Sequence, residues 1–441
     1  MAARVNLEQL YNFITEEDAA SVCEAIPDEA CQEAPRNFFL NALNGTATKL
    51  GDQLGSPGLV LPWLLDALGA PAFLTGWLVP VRRAMALLPQ LAIAGRIRRF
   101  QKRKWFWAGG GAVFGLGFLL MIPAALLLPA VWAGLAILLA LGLGSVGRAA
   151  SSVAFSDVLA KTIPRGRRGA LLGLRATSAG VLTLVAGLLL RLYVAEEGDL
   201  RPYLLLLGVA GLLWLLGAAL AAAVTEQPGA AEGARNGVQQ ARAGWRLLQE
   251  QPGFRRYIVA RVLLLSVQLV TPFYVLYARR LTGGAVIGLS WFVIATGVAE
   301  VLSSPFWGRF SDRSSRVVMM AGGALAAASG ALALLLGLMP PAWQTPLVFS
   351  SVFLLAGFAT AGVRLGRKTY LVDGAPEASR PLYIAVGNTI AGGATLASGS
   401  LGLIADLVSL QALIVTFVAL ALSGTVAAWR VPEAVEMVRE I

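Results

Sequence analysis

TEQPGAAEGARNGVQQARAGWRLLQEQPGFRR, residues 225–256, is the one long polar stretch inside the apolar part of this chain, and it falls near the middle of the 441 residues. Before it, apolar runs separated by short polar breaks lie at 37–66, 71–94, 105–127, 130–158, 169–195 and 201–224. After it they lie at 254–279, 285–309, 316–338, 345–372, 381–406 and 409–429. A helix needs about 20 apolar residues to cross roughly 30 Å of hydrocarbon, and each run meets that need. The polar stretch therefore separates two sets of six. The expected fold is an all-α polytopic membrane protein with twelve transmembrane helices in two pseudo-symmetric six-helix bundles, 37–224 and 254–430, joined by a cytosolic linker at 225–253. An acidic cytosolic tail at 1–36 and a short C-terminal tail at 431–441 complete the expected layout.

Composition agrees. The chain is 57% hydrophobic and 14% charged, with a mean hydropathy of +0.69, whereas soluble domains carry about a quarter charged residues. The net charge of +11 is scattered in short clusters between apolar runs, so no basic domain offers a phosphate-binding face and nucleic acid is not an expected partner. The absence of histidine removes His-based metal sites and general bases. Cys23 and Cys31, eight apart, fit neither a redox CxxC pair nor a zinc knuckle and read as free thiols. The sequence lacks a G-x-x-x-x-G-K-[ST] loop and a clustered nucleophile and base, so neither ATP-driven pumping nor an enzyme is expected, and no cofactor. No apolar stretch precedes Phe38, so no signal peptide is expected, and Thr15 to Asp18 can form a capping box.

The bases sit in every second loop, which sets the orientation because Lys and Arg near span ends stay in the cytosol. Arg96 to Lys104 follow the second span, Lys161 to Arg168 the fourth, Arg309 to Arg316 the eighth, and Arg367, Lys368 and Arg380 the tenth. The opposite loops include MIPAALLLP and MPPAWQTP, which carry no base. Arg279 and Arg280 after the seventh span are the exception. The tally expects a bacterial inner-membrane protein with both termini in the cytosol.

The halves also repeat. Gly95, Arg96 and Arg103 fall on Gly308, Arg309 and Arg316 at an offset of 213, and Pro164, Arg168 and Gly180 fall on Pro376, Arg380 and Gly392 at an offset of 212. Two six-helix halves in the same orientation are related by an axis along the membrane normal, an arrangement found in transporters. GRFSDRSSR at 308–316 resembles the loop signature of the major facilitator superfamily, G-x-x-x-D-R-x-x-R. GRIRRFQKR at 95–103 is similar to its first-half copy, with Arg99 in place of the Asp, and IPRGRRGALLG at 163–173 resembles that family's turn into the fifth span. The glycine-proline motif of the family's drug exporters is missing from TSAGVLTLVAGLLLR at 177–191.

The resemblance implies a secondary transporter that works by alternating access around a site between the halves, with a gate at the cytosolic face. The candidate gate residues are Gly95, Arg99, Arg103, Arg168, Gly308, Asp312, Arg313, Arg316, Asp373 and Arg380. Asp312 is expected near the start of the fifth span around Arg168 and Gly169, where the helix dipole favours an acid.

Charged groups inside spans cost several kcal/mol unless paired or hydrated, so each is a candidate site residue. NFFLNALNGTATKLGDQLGSPG at 37–58 puts Asn41, Asn44, Thr48 and Asp52 on one helical face, expected to line a cavity, with Lys49 placed to pair with Asp52. Pro57 and Pro62 should kink that span. Arg82 and Arg83 beside Pro80, Arg148, Gln268 and Glu300 add polar groups deeper in other spans, while Arg175 and Arg261 are expected to snorkel to the surface. Gly173, Gly180 and Gly187, seven apart, read as close helix packing. An excess of intramembrane arginine over acid points to an anionic or carboxylated solute, with pairing of those arginines to Asp52 or Glu300 the competing account, and Asp52 is the expected proton-coupling carboxylate. The expected partners are a small-molecule solute, the lipid bilayer and protons, with the protein a monomer. The residues leave export and uptake open. The alternative is a non-transporting helical receptor or scaffold with the same fold.

Overall fold

The computed structural model describes Tyr11 and residues 32–97, 99–164, 167–192, 199–228, 244, 246–282, 286–311, 313–376, 380–434 and 436. The tail residues Cys23 and Cys31, the Thr15–Asp18 capping box and most of the linker lie outside them. Among the described residues every regular element is a helix. The first half holds α1 (Ala34–Leu54), α2 (Val60–Ala67), α3 (Ala72–Leu87) and α4 (Gln90–Ile97), then α5 (Lys104–Leu127), α6 (Ala130–Thr162), α7 (Arg168–Leu192) and α8 (Arg201–Ala223). The second half holds α9 (Pro252–Leu263), α10 (Ser266–Leu269), α11 (Thr271–Thr282), α12 (Val286–Ser311), α13 (Ser315–Leu338) and α14 (Pro346–Gly374). It closes with α15 (Arg380–Ala397), α16 (Leu403–Leu407) and α17 (Leu410–Trp429).

Nine helical stretches among the described residues are long and apolar enough to cross a membrane, starting with Lys104–Leu127. The first two apolar runs of the sequence are broken helices instead. Gly55, Ser56, Pro57 and Gly58 separate α1 from α2, and Pro89 stands between α3 and α4. A proline removes an amide donor and disfavours helix in the residue before it, so both breaks are local consequences of sequence. The α9–α11 segment is interrupted ahead of Pro272, and a 3₁₀ turn at Ser398–Gly402 separates α15 from α16.

Apolar residues also face outward, as a lipid-exposed surface requires. Leu120, Leu139, Leu189 and Leu212 are each more than 60% exposed. The interior is filled by aromatic and aliphatic side chains including Trp63, Phe114, Phe118, Phe292 and Phe353. Within each half, helices approach through small residues, since in lipid association rests on close packing. In the first half a Cβ on Gly110 would meet the backbone of Gly147 and Ser151 on α6, and Gly115 lies against Gly211 on α8.

Each half ends in an acid that returns to the start of its third long helix. Glu226, just past α8, accepts hydrogen bonds from the backbone amides of Arg103 (2.8 Å) and Lys104 (2.7 Å) at the head of α5, and pairs with Lys161 Nζ at 2.8 Å. Lys104 Nζ in turn donates to the Ala222 and Val224 carbonyls that end α8. Glu433, just past α17, pairs with Arg316 Nε at 2.8 Å and accepts from the Ser314 hydroxyl that caps α13. Acids at helix N-termini meet unsatisfied N–H groups and the positive end of the dipole.

The halves meet along two seams. α7 packs on α12, with Gly180 against Val301 and Gly187 against Val293 and Ile294. α3 packs on α15 and the 3₁₀ turn, where Gly76 and Gly402 approach so closely that a Cβ on either would sit 3.0–3.2 Å from the Cα of the other.

Candidate functional site

Between the halves lies a cavity of about 1050 Å³, at the upper end of the sizes that hold small molecules. Its walls reach from mid-bundle, at Lys49 and Asp52 on α1 and Gln268 on α10, to helix ends nearer the basic loops, at Arg83 on α3, Gly173 on α7, Arg261 on α9, Glu300 on α12 and Arg367 on α14. Gly173 is therefore a wall residue, whereas Gly180 and Gly187 belong to the helix seam.

Asp52 is the centre of the first-half wall. One carboxylate oxygen accepts from Arg82 Nη2 at 3.0 Å and the other from Arg148 Nη2. Arg82 lies over the Phe114 ring at 4.8 Å, and Arg148 over both Phe114 (5.8 Å) and Trp214 (5.6 Å). The aromatic faces hold the two cations where Asp52 reaches both. The expected partner, Lys49, is not the one found: Asp52 is bridged across helices, and Lys49 lines the cavity with Glu300 among the charges that act on it. Arg82 Nη1 and Arg148 Nε remain without a hydrogen-bond partner among the described residues.

The polar stripe of α1 divides between two jobs. Lys49, Asp52, Gln53 and Ser56 face the cavity. Asn41, Asn44 and Thr48 do not; they are buried in a seam with α7 and α8. Arg175 donates to Asn41 Oδ1 at 2.6 Å and Asn44 Oδ1 at 3.3 Å, Asn44 Nδ2 donates to the Gly217 carbonyl at 2.7 Å, and Thr48 donates to the Asn44 carbonyl. The two faces of a helix differ by one residue in register, so one polar run supplies both.

Arg175 and Arg261 do not snorkel. Arg175 is 8% exposed and stacks on Phe155 at 4.3 Å, and Arg261 is 5% exposed and donates to Asn388 Oδ1 at 2.7 Å. Gln268 lines the cavity with its Oε1 unpaired among the described residues. Arg364 and Arg367 line the same space from α14. Sequence reasoning had given Arg367 a topological role and passed over Arg364 and Asn388. Their i, i+3 spacing on an apolar helix was the available signal for the two arginines.

The polar links between the halves cluster at the end opposite the basic loops. Arg279 on α11 forms an ion pair with Asp66 on α2 at 3.0 Å, donates to the Trp63 carbonyl at 2.9 Å, and stacks on the Trp63 ring at 4.7 Å. The amide of Phe73 donates to Asp406 Oδ2 at 2.8 Å. The exception in the loop-charge tally is thus a clasp residue.

The candidate gate residues lie at the basic-loop end, mostly within their own half. Arg103 pairs with Asp157 at 2.6 Å, and Arg168 donates to the Ala160 and Ile163 carbonyls. Arg316 pairs with Glu433, while Arg99 and Arg313 are exposed. Gly95 and Gly308 sit in α4 and α12, Asp373 in α14, and Arg380 opens α15. Asp312 lies outside the described residues, and so does its expected contact with the start of α7. Asp157 and Glu226, absent from the sequence-derived set, are what bind Arg103 and Lys161.

No protein-family model matches the chain. Uncharacterised proteins of Mycobacterium tuberculosis and Mycobacterium bovis are 29% identical over 406 residues, covering 90% of this chain and 78% of theirs. Among solved structures, the inward-open xylose transporter XylE from E. coli superposes with a TM-score of 0.66 at 14% identity, covering 91% of this chain and 99% of that one. The nucleoside transporter NupG gives 0.68 at 12% identity (88% and 99% covered), and a POT peptide transporter in complex with sulfate gives 0.68 at 13% (92% and 96%). The chain is an α-helical membrane protein. Its fold is that of the major facilitator superfamily transporters.

Proposed function

We propose that this protein is a secondary active transporter that moves a small anionic or carboxylated solute across the bacterial inner membrane by alternating access, coupled to protons. The carrying observation is a cation-rich cavity between the halves that lies toward one end of the bundle while ion-pair and backbone links join the halves at the other. Such an arrangement suits a protein that opens its two ends in turn. The basic loops put the open end in the cytosol, with both termini on that side. The protein acts as a monomer.

Coupling follows from the charge at Asp52. Its carboxylate neutralises two cavity guanidiniums, Arg82 and Arg148, that would otherwise add to the cavity's attraction for an anionic solute. A proton on Asp52 removes the internal counter-ion and frees both arginines for the solute. The cycle then carries proton and anion together.

In proteoliposomes, an inward pH gradient should drive uptake of a transported anion by the wild type, and Asp52→Asn should lose the gradient dependence while retaining binding. Flux in Asp52→Asn that still follows the pH gradient would remove Asp52 from the coupling step. Solute-independent behaviour across a broad anion panel would instead favour the scaffold alternative.

A further inference from the structure

Three guanidiniums that line the cavity have no counter-ion among the described residues. Arg83 on α3 belongs to the first half, and Arg364 and Arg367, about one turn apart on α14, to the second; all three line the cavity. None has a carboxylate or side-chain hydrogen-bond partner among the described residues. Arg364 and Arg367 are the charges from the other half that act most strongly on Arg83. Of the cavity's two carboxylates, Asp52 is bonded to Arg82 and Arg148, and Glu300 stands on α12 of the second half. Beside the trio, Arg261 Nε and Gln268 Oε1 are buried polar atoms without a partner among the described residues, although Arg261 uses Nη2 on Asn388.

Uncompensated guanidiniums lining one cavity repel, and arginine cannot discharge by losing its proton. Seven cationic side chains against two carboxylates line this cavity. A neutral solute leaves that excess untouched, and a single carboxylate brings one negative charge against three guanidiniums. The planar forks of three arginines match an oxyanion group with two charges and several acceptor oxygens.

We propose that the cavity takes a solute bearing a dianionic oxyanion head, a phosphate ester or a dicarboxylate, seated between Arg83 of the first half and Arg364 and Arg367 of the second. Arg261, Gln268 and Asn388 take the polar body of the solute. This names the substrate class of the transport reading and rests on it for why the solute enters. The same head links α3 to α14 across the gap, replacing repulsion with attraction at the basic-loop end.

The test uses the purified full chain, with binding of sodium phosphate, glycerol phosphate and succinate measured against acetate and glycerol at constant ionic strength. The wild type should bind at least one dianion roughly tenfold or more tighter than acetate. R83Q and R367Q, one from each half, should each weaken that dianion by about tenfold while acetate changes little, and R255Q on the exposed start of α9 should match wild type. R83K and R367K keep the charge and lose the fork; they should weaken the dianion by an intermediate factor and serve where a glutamine variant fails to fold. Equal binding of acetate or glycerol, no dianion binding at millimolar concentration, or indifference to R83Q and R367Q would each overturn the assignment. Proteoliposome flux separates the two readings. Movement of a neutral or singly charged solute that ignores R83Q leaves transport standing and removes this site, whereas R83-dependent dianion binding with no flux of any dianion leaves the site standing and removes transport.

Discussion

At the level of single residues, the polar groups of α1 show how one amphipathic run serves two surfaces. Arg175 reaches α1 because Gly45 has no side chain: a Cβ there would collide with Arg175 Nε. The guanidinium that passes through the gap is hydrogen-bonded to Asn41 and Asn44, and Asn41 Nδ2 is without a partner among the described residues. Gly45→Ala should therefore destabilise the protein by about 1–3 kcal/mol, the usual cost of overpacking, read as a fall in melting temperature. The coupling is specific. In Gly45→Ala/Arg175→Ala the alanine should cost far less than in the wild-type background, because the atom it strikes is gone. Equal costs in the two backgrounds would mean that the α1–α7 crossing does not depend on Arg175.

At the level of elements, Glu226 and Glu433 are counterparts in the two halves, each tying the end of a sixth helix to the head of a third. They differ in burial. The Glu226 side chain is fully buried with three donors on it, whereas Glu433 is about one-third exposed. A buried acceptor that loses its charge leaves Lys161 and two amides poorly matched, so Glu226→Gln should cost about 2–3 kcal/mol. Glu433→Gln should cost well under half as much, since water replaces part of what is lost. Thermal unfolding of the two variants side by side measures the difference, and equal losses would contradict the burial argument. Neither acid was found in the sequence, and the reason is instructive. Helix positions were legible because hydropathy is local: α5 and α13 begin within one residue of the expected spans, and the α1–α2 break falls at the glycines and prolines around Pro57. Pairing is not local. Lys161 read as an ordinary cytosol-facing base, and only the fold brings Glu226, 65 positions away, against it. Likewise Asp52 finds Arg82 and Arg148 on other helices, and Lys49, its sequence neighbour, turns elsewhere.

At the level of the whole molecule, the proposed alternating access requires that one end be held shut while the other admits solute. The described polar links at the closed end are few, the Arg279 clasp on Asp66 and Trp63 and the Phe73 amide on Asp406, and apolar packing joins them at the Gly76–Gly402 crossing and where the Trp63 ring meets Phe292. A state held by so few polar contacts can be left at modest cost, which a cycling transporter needs, because an end locked by many kcal/mol would not reopen. Asp66 is 42% exposed at its side chain, so solvent screens the ion pair and its share is on the order of 1 kcal/mol. Arg279→Gln should thus shift the population roughly fivefold toward the state open at that end, without unfolding the protein. Labelling a cysteine placed at Phe73, beside the clasp, by an impermeant thiol reagent should speed up by a similar factor in the Arg279→Gln background. Gly402→Val tests the apolar part of the same closure: a side chain 3.2 Å from Gly76 Cα prevents the crossing from closing, so labelling should again rise while the clasp residues stay intact. If Gly402→Val raised labelling and Arg279→Gln did not, the crossing of α3 with the 3₁₀ turn, rather than the ion pair, would be what closes this end.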